Sequence, residues 1–377
     1  MPSFAGGVRV LYRLSVPAAA ILAASCTLPS GKDDEPSEIP AYTIQELGLL
    51  PGGTVSQAYA INEAGLAVGY ATDAGGAQRA VYFQGGVAIQ LPEPDGTTRS
   101  NAYDINDSGV IVGSVRIAGI EQPCRWATPT SAPELLELLE GTDRGRARSI
   151  NNDGVIAGFV SADEWVVIWE PDGEIEDLNP ATRESYEPTQ INDEGMFVGN
   201  AEEIEAAYRW DDDDGFVFLG SLSGGGGDDD DDDDGAAAGE SEGNGLNASG
   251  VTVGASENGE GELRAFRYSS TRGMVALGDP PEGDNGVIAR AINDAGLVAG
   301  NGQNADEGGT ILSSQPAVTY MLETDRQFTA LPTLGGARAE PTNAGINQCG
   351  VIVGWAFPSG STERRAVAWV APGCPVQ

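Results

Sequence analysis

One block of nine residues, Ile/Leu-Asn-x-x-Gly-x-x-x-Gly, sets the terms for any fold this chain can adopt, because it occurs seven times. The copies start at Ile61-Asn62, Ile105-Asn106, Ile150-Asn151, Ile191-Asn192, Leu246-Asn247, Ile292-Asn293 and Ile346-Asn347. Their first glycines are Gly65, Gly109, Gly154, Gly195, Gly250, Gly296 and Gly350. Their second glycines are Gly69, Gly113, Gly158, Gly199, Gly254, Gly300 and Gly354. The asparagines are 44, 45, 41, 55, 46 and 54 residues apart, a period that belongs to stacked or radial repeats.

The block has the chemistry of a tight β-hairpin. An asparagine opens the turn with a side-chain bond to its own backbone, short polar residues fill it, and glycine takes the left-handed position that forms a bulge. Flanks such as Leu66-Ala67-Val68 and Val110-Ile111-Val112 read as strands. The second glycine falls inside the outgoing strand, where it permits a bulge or a close backbone approach. A third strand ends in an aromatic residue, as in Ala80 to Phe83, Ala207 to Trp210 and Ala366 to Trp369. A leucine-rich fourth follows, as in Val87 to Leu91 and Phe328 to Leu331. Four strands per period of about 46 residues is the size of one propeller blade.

The two ends of the repeat region complement each other. The seventh unit stops after its third strand, Arg365 to Val370, while Tyr42 to Gly48 looks like a fourth strand without its preceding three. Joining them removes the exposed edges. The expected fold is therefore all-β: a seven-bladed β-propeller over 42–377 of four-stranded antiparallel blades, closed by the N-terminal strand completing the last blade. An Asp/Gly-rich insertion interrupts it at about 223–243.

Composition limits the chemistry. Fifty-seven acidic residues against 20 basic ones give a net charge of −37, which disfavours nucleic acid and anionic membrane surfaces as partners. The chain has no histidine, so Ser-His-Asp triads, Cys-His dyads and His-ligated zinc are excluded. No Walker loop, G-x-S-x-G elbow or dinucleotide fingerprint occurs.

Residues 1–25 read as a signal peptide: Arg9 and Arg13 precede an uncharged apolar stretch, Leu14 to Ala24, too short to span a bilayer. Leu22-Ala23-Ala24-Ser25-Cys26 resembles a bacterial lipobox, which makes Cys26 the lipidation candidate. Ordinary signal-peptidase cleavage is the alternative. Residues 26–41, rich in Pro, Ser and charge, read as a flexible tether. The expected location is the outer membrane, as a lipoprotein, or the extracellular space, with membrane contact only through the lipid.

The A-x-x-I-N-x-x-G-x-x-x-G hairpin, the aromatic third strand and the element Leu331-Pro332-Thr333-Leu334-Gly335-Gly336 together resemble the HAF repeat of exported bacterial proteins. The family's His-Ala-Phe signature appears here as Arg264-Ala265-Phe266 and variants. The resemblance implies an extracellular repeat architecture and assigns no chemistry.

Cys124 occupies a strand position held elsewhere by valine, phenylalanine or tyrosine, so it is expected to be a buried free thiol. Cys349, in the seventh turn, and Cys374, just past the last strand, are expected to form a disulfide. Asp230, Asp232 and Asp234 match half of a calcium loop, but their Gly/Ala flanks favour a solvated insertion, so no cofactor is expected and calcium stays a weak candidate. The strictly repeated aromatics, Trp126, Trp169, Trp210 and Trp369, are expected to pack between blades. Trp165, Trp355, the Arg144-Gly145-Arg146-Ala147-Arg148 segment and the insertion Asn301 to Gln315 break the repeat. The arginine segment reads as a solvated loop with an anion-binding alternative. The functional expectation is a monomeric, noncatalytic binding or scaffold module for an extracellular protein or glycan. The alternative is a polysaccharide-acting enzyme with two carboxylates on one face.

Overall fold

A computed structural model of the protein describes residues 41–178, 185–223, 239–279, 286–305, 311–312, 317–321 and 328–377. Cys26 and the Asp230, Asp232 and Asp234 calcium candidate lie outside these residues. The described secondary structure is all β, and successive strands pair antiparallel as neighbours in sequence.

Four sheets have four strands each; a fifth has four strands in its path plus Ile311–Leu312 pairing to one side. The last sheet has eight strands, made of two four-strand runs joined by a single parallel pair, Ala60 with Ala344. One of those runs ends on Thr43–Glu46, which pairs antiparallel with Arg365–Val370 in the register Thr43 to Val370. The orphan N-terminal segment and the incomplete seventh unit are thus hydrogen-bonded partners.

Seven hydrophobic clusters form among the described residues, and each straddles two neighbouring four-strand runs. One of them joins the last run, through Val351, Val353 and Ala366, to the first, through Val81 and Phe83. The repeated aromatics sit in these contacts. Trp126, Trp169 and Trp369 are fully buried, and each indole Nε1 donates a 2.8 Å bond to a carbonyl just past the fourth strand of the preceding run: Pro92, Glu137 and Pro332. A buried tryptophan needs such an acceptor, and each run supplies one to the next.

Serines in the first strands perform a similar task. The hydroxyls of Ser56, Ser100 and Ser241 accept the backbone N–H groups of Ala366, Ala80 and Ala207 on adjacent runs. Ser241 also corrects the expected extent of the insertion. Ser241–Leu246 is a strand paired with Thr252–Glu257, so the Asp/Gly-rich interruption ends before residue 241. The polar Ser-Glu sequence resembles its low-complexity neighbour, yet Ser241 is needed as a buried acceptor.

Candidate functional site

The repeated block makes both ends of the central space. Each first glycine has φ between 77° and 90°, and its N–H donates to the carbonyl of the motif asparagine, as in Gly65 to Asn62 at 3.0 Å. The asparagine Oδ1 accepts the N–H four residues on, as Asn62 does from Leu66 at 3.0 Å. That leaves Nδ2 free to reach the next run. Asn62 Nδ2 donates to the carbonyl of Asn106, Asn106 to Asn151, Asn151 to Asn192, and Asn192 to Asn247. Asn247 donates to Asn293, Asn293 to Asn347, and Asn347 to Asn62. All seven motif asparagines and their glycines thus meet at one end of the molecule.

A second layer of bonds covers this circuit. Glu63, Asp107 and Asn152 donate their N–H groups to the side chains of Asp107, Asn152 and Asp193 in turn. Around the other side, Ala248, Asp294 and Gln348 donate theirs to Asp294, Gln348 and Glu63. Burial, with Asp107 and Asp294 nearby, raises the Glu63 carboxyl above its usual range. Beneath this layer, buried Asp104 accepts from Ser149 Oγ at 2.6 Å and from the backbone N–H groups of Ile150 and Ile105. Desolvation raises its pKa to about 6 against those three donors.

The second glycine shapes the other end. A Cβ on Gly69, Gly113, Gly158, Gly199, Gly254, Gly300 or Gly354 would collide with the carbonyl oxygen of the facing first strand. At that same place the pairing register skips a residue in six of the seven first strands. The skipped residues are Tyr59, Tyr103, Arg148, Thr189, Asn244 and Arg290, each three before its motif asparagine. In the seventh the irregularity is wider, running from Pro341 to Ile346. A bulge leaves its extra residue unpaired and re-aims it. Five of the six line one central cavity of about 260 Å³, together with Gln57, Glu340, Trp355 and the Pro341–Ala344 segment.

Inside the cavity, Tyr59 and Tyr103 lie 5.6 Å apart between ring centroids. The Arg148 guanidinium sits 4.9 Å over the Tyr103 ring, and its Nη2 pairs with Glu187 Oε1 at 2.9 Å. Arg148 Nε is buried with no hydrogen-bond partner. Arg290 donates from Nε to Asn301 Oδ1 at 3.1 Å and lies 3.9 Å from Glu242. Trp355 forms part of the wall, with the Arg364 guanidinium 4.6 Å from its ring and Arg364 Nη1 donating to Gln57 Oε1. Burial, then Tyr103 and Tyr70, pushes the Tyr59 hydroxyl well above its ordinary range, so it remains a neutral donor.

The arginine segment is therefore not a solvated loop. Gly145–Ile150 is a first strand; Arg146 pairs with Glu121 and Arg148 faces the cavity, while Arg144 alone is exposed beside Asp143. Arg148 is the residue the register skips, and the bulge, not strand alternation, sends it to the cavity while Arg146 turns to Glu121. Cys349 and Cys374 are joined, with Cα atoms 5.8 Å apart, and Gln377 beyond them donates its N–H to the Gly65 carbonyl. Cys124 is a buried free thiol. Glu164, Glu187 and Glu202 place carboxylate oxygens within 4.8 Å of one another and could hold a divalent cation, although Glu187 also serves Arg148.

Strands radiating about a cavity, with turn-bound asparagines at one end and unlike side chains at the other, define a propeller-type protein. No family model matches the chain, and no curated protein does. Among solved structures, it is similar to YCF48 bound to D1 peptide, with a TM-score of 0.53 and 8% identity, covering 89% of this chain and 100% of that one. It is also similar to oligogalacturonate lyase in complex with manganese, at 0.53 and 10%, covering 89% and 94%. The oligogalacturonate lyase from Vibrio parahaemolyticus gives 0.53 and 11%, covering 88% and 98%. At these identities the likeness is one of fold.

Proposed function

We propose that this chain is a closed, seven-bladed propeller that is exported, tethered through Cys26, and acts as a noncatalytic module binding an extracellular protein or glycan. The blade count and closure are supported by the asparagine circuit, which returns from Asn347 to Asn62, and by the pairing of Thr43–Glu46 with Arg365–Val370. Export and lipid tethering rest on the signal-like segment and the lipobox resemblance around Cys26.

The single observation that carries the binding function is the set of unlike residues presented at equivalent bulges. Structure repeats the same residue in every blade, as the asparagines and second glycines do; at the bulges two tyrosines, Tyr59 and Tyr103, two arginines, Arg148 and Arg290, and Thr189 converge on one cavity. Propellers host both binders and enzymes. A carboxylate-pair glycosidase needs two acids flanking the scissile bond, about 5–9.5 Å apart. Among the residues lining the central cavity the only carboxylate is Glu340. Asp104 lies beside the asparagine turns and is held by three donors.

Affinity capture with the purified chain against envelope and exopolysaccharide extracts tests this reading. A defined protein or glycan that co-purifies through moderate salt supports it. A polysaccharide shortened on incubation, with nothing retained, replaces it with the enzyme.

A further inference from the structure

We infer that the central cavity recognises an acidic sugar, a uronic-acid residue of an extracellular polysaccharide. This rests on the binding-module reading and names the ligand chemistry. Three properties of the cavity converge on it.

The first is charge. The seven first strands carry five arginines, Arg99, Arg146, Arg148, Arg290 and Arg338, against four acids, Asp104, Glu187, Glu242 and Glu340. The whole chain has 20 basic residues against 57 acidic ones. Two of these arginines, Arg148 and Arg290, line the cavity against one lining acid, Glu340, which sets it apart from the acidic surface. Arg148 and Arg290 each already face one carboxylate, Glu187 and Glu242. What remains open is the buried Nε–H of Arg148. That capacity suits one carboxylate better than a doubly charged phosphate, because the guanidiniums are half neutralised.

The second is shape and surface. A cavity of about 260 Å³ falls just below the roughly 300–1,000 Å³ of drug-sized sites, so it accepts a single ring. Its walls include the aromatic side chains of Tyr59, Tyr103 and Trp355, with Arg148 covering one face of Tyr103 and Arg364 one face of Trp355, and aromatic walls suit the C–H face of a sugar. The third is hydrogen bonding. Gln57, Thr189, Asn343 and Glu340 come from three different first strands and surround the space with partners for ring hydroxyls. The Thr189 hydroxyl spends its proton on backbone carbonyls of Val198 and Gly243, leaving its oxygen to accept.

The test is titration of the full chain with a galacturonate trimer, a glucuronate trimer and the methyl-esterified galacturonate trimer, read by calorimetry. Arg148→Gln, Arg290→Gln and the exposed-site control Arg144→Gln are compared, each checked for an unchanged near-UV spectrum. The expected result is binding of an acid trimer, loss of about tenfold or more on esterification and in R148Q and R290Q, and no change in R144Q. R290Q keeps the test valid where R148Q unfolds by stranding Glu187. Equal binding of the ester, or unchanged binding in folded R148Q and R290Q, overturns the inference. Failure of both acid trimers while a protein or neutral glycan is captured from extracts overturns the ligand assignment and leaves the binding module standing. Failure of every probe and every extract overturns both.

Discussion

Asn347 Nδ2 donates a 3.2 Å hydrogen bond to the backbone carbonyl of Asn62, 285 positions earlier in the chain. Six other asparagines make the same bond to the next copy of themselves, so one residue type fixes a turn with its oxygen and a neighbour with its nitrogen. Asn347→Ala removes both: it leaves the buried Val351 N–H without a partner and the Asn62 carbonyl with the Gly65 N–H alone. The expected loss is about 1–3 kcal/mol for the orphaned N–H, read from urea unfolding. A loss under about 0.5 kcal/mol would mean the circuit is incidental to stability.

The two glycines of one block should respond differently to the same change. Gly109 has φ +80° and open space around its missing Cβ, so Gly109→Ala meets only backbone strain, about 1–2 kcal/mol. Gly113 faces the Asn101 carbonyl and the Ala102 Cα, and a methyl there must move a strand. Gly113→Ala is expected to cost about 3 kcal/mol. The reverse ranking in urea midpoints would refute the steric account of the bulge.

Asp104 supplies a pH signature. Its pKa rises from an ordinary 3.8 to about 6 in the folded state, so between those values the folded protein holds a proton that the unfolded chain has released. Stability contributed by this group is therefore present below about pH 4 and lost as pH climbs through 6, by about 3 kcal/mol. Asp104→Asn lacks that titration. The stability difference between wild type and D104N should change across pH 4–6.5 and level off above it; a flat difference would show that Asp104 ionises as an exposed carboxylate does.

The cysteines separate by chemistry. Burial holds the Cys124 thiol well above its ordinary pKa, so its peptide should gain no iodoacetamide adduct in native protein and a full one in urea. Replacing Cys349 and Cys374 by serine opens a link spanning 25 residues and is expected to cost about 3 kcal/mol. Alkylation of Cys124 in folded protein, or an unchanged melting temperature in the double variant, would contradict these placements.

The hairpins were legible because a turn is a local device. Asn62 and Gly65 act within five residues of each other, and the pattern announces itself seven times. The cavity was harder to read. A bulge shifts register by one residue, so strand alternation alone places Tyr103 or Arg148 on the wrong face. Arg148 breaks the repeat, yet its neighbours Arg144 and Gly145 give it the look of a loop. The usable signal was the variable position three before each asparagine, flanked on both sides by small residues at Tyr59, Arg148, Asn244 and Arg290. Trp355 joins the same cavity from a second strand, and it too stands out in the sequence by breaking the repeat.

The steric opposition between each second glycine and a first-strand carbonyl has a consequence for how such proteins diversify. The backbone dictates where the bulge falls, so side chains of different chemistry can be displayed there. Tyrosine, arginine, threonine and asparagine all occupy that place in this one chain. Affinity for a new ligand can therefore be sought by exchanging these residues together with the partners they hold, Glu187 with Arg148 for one, while the bulge itself stays where it is.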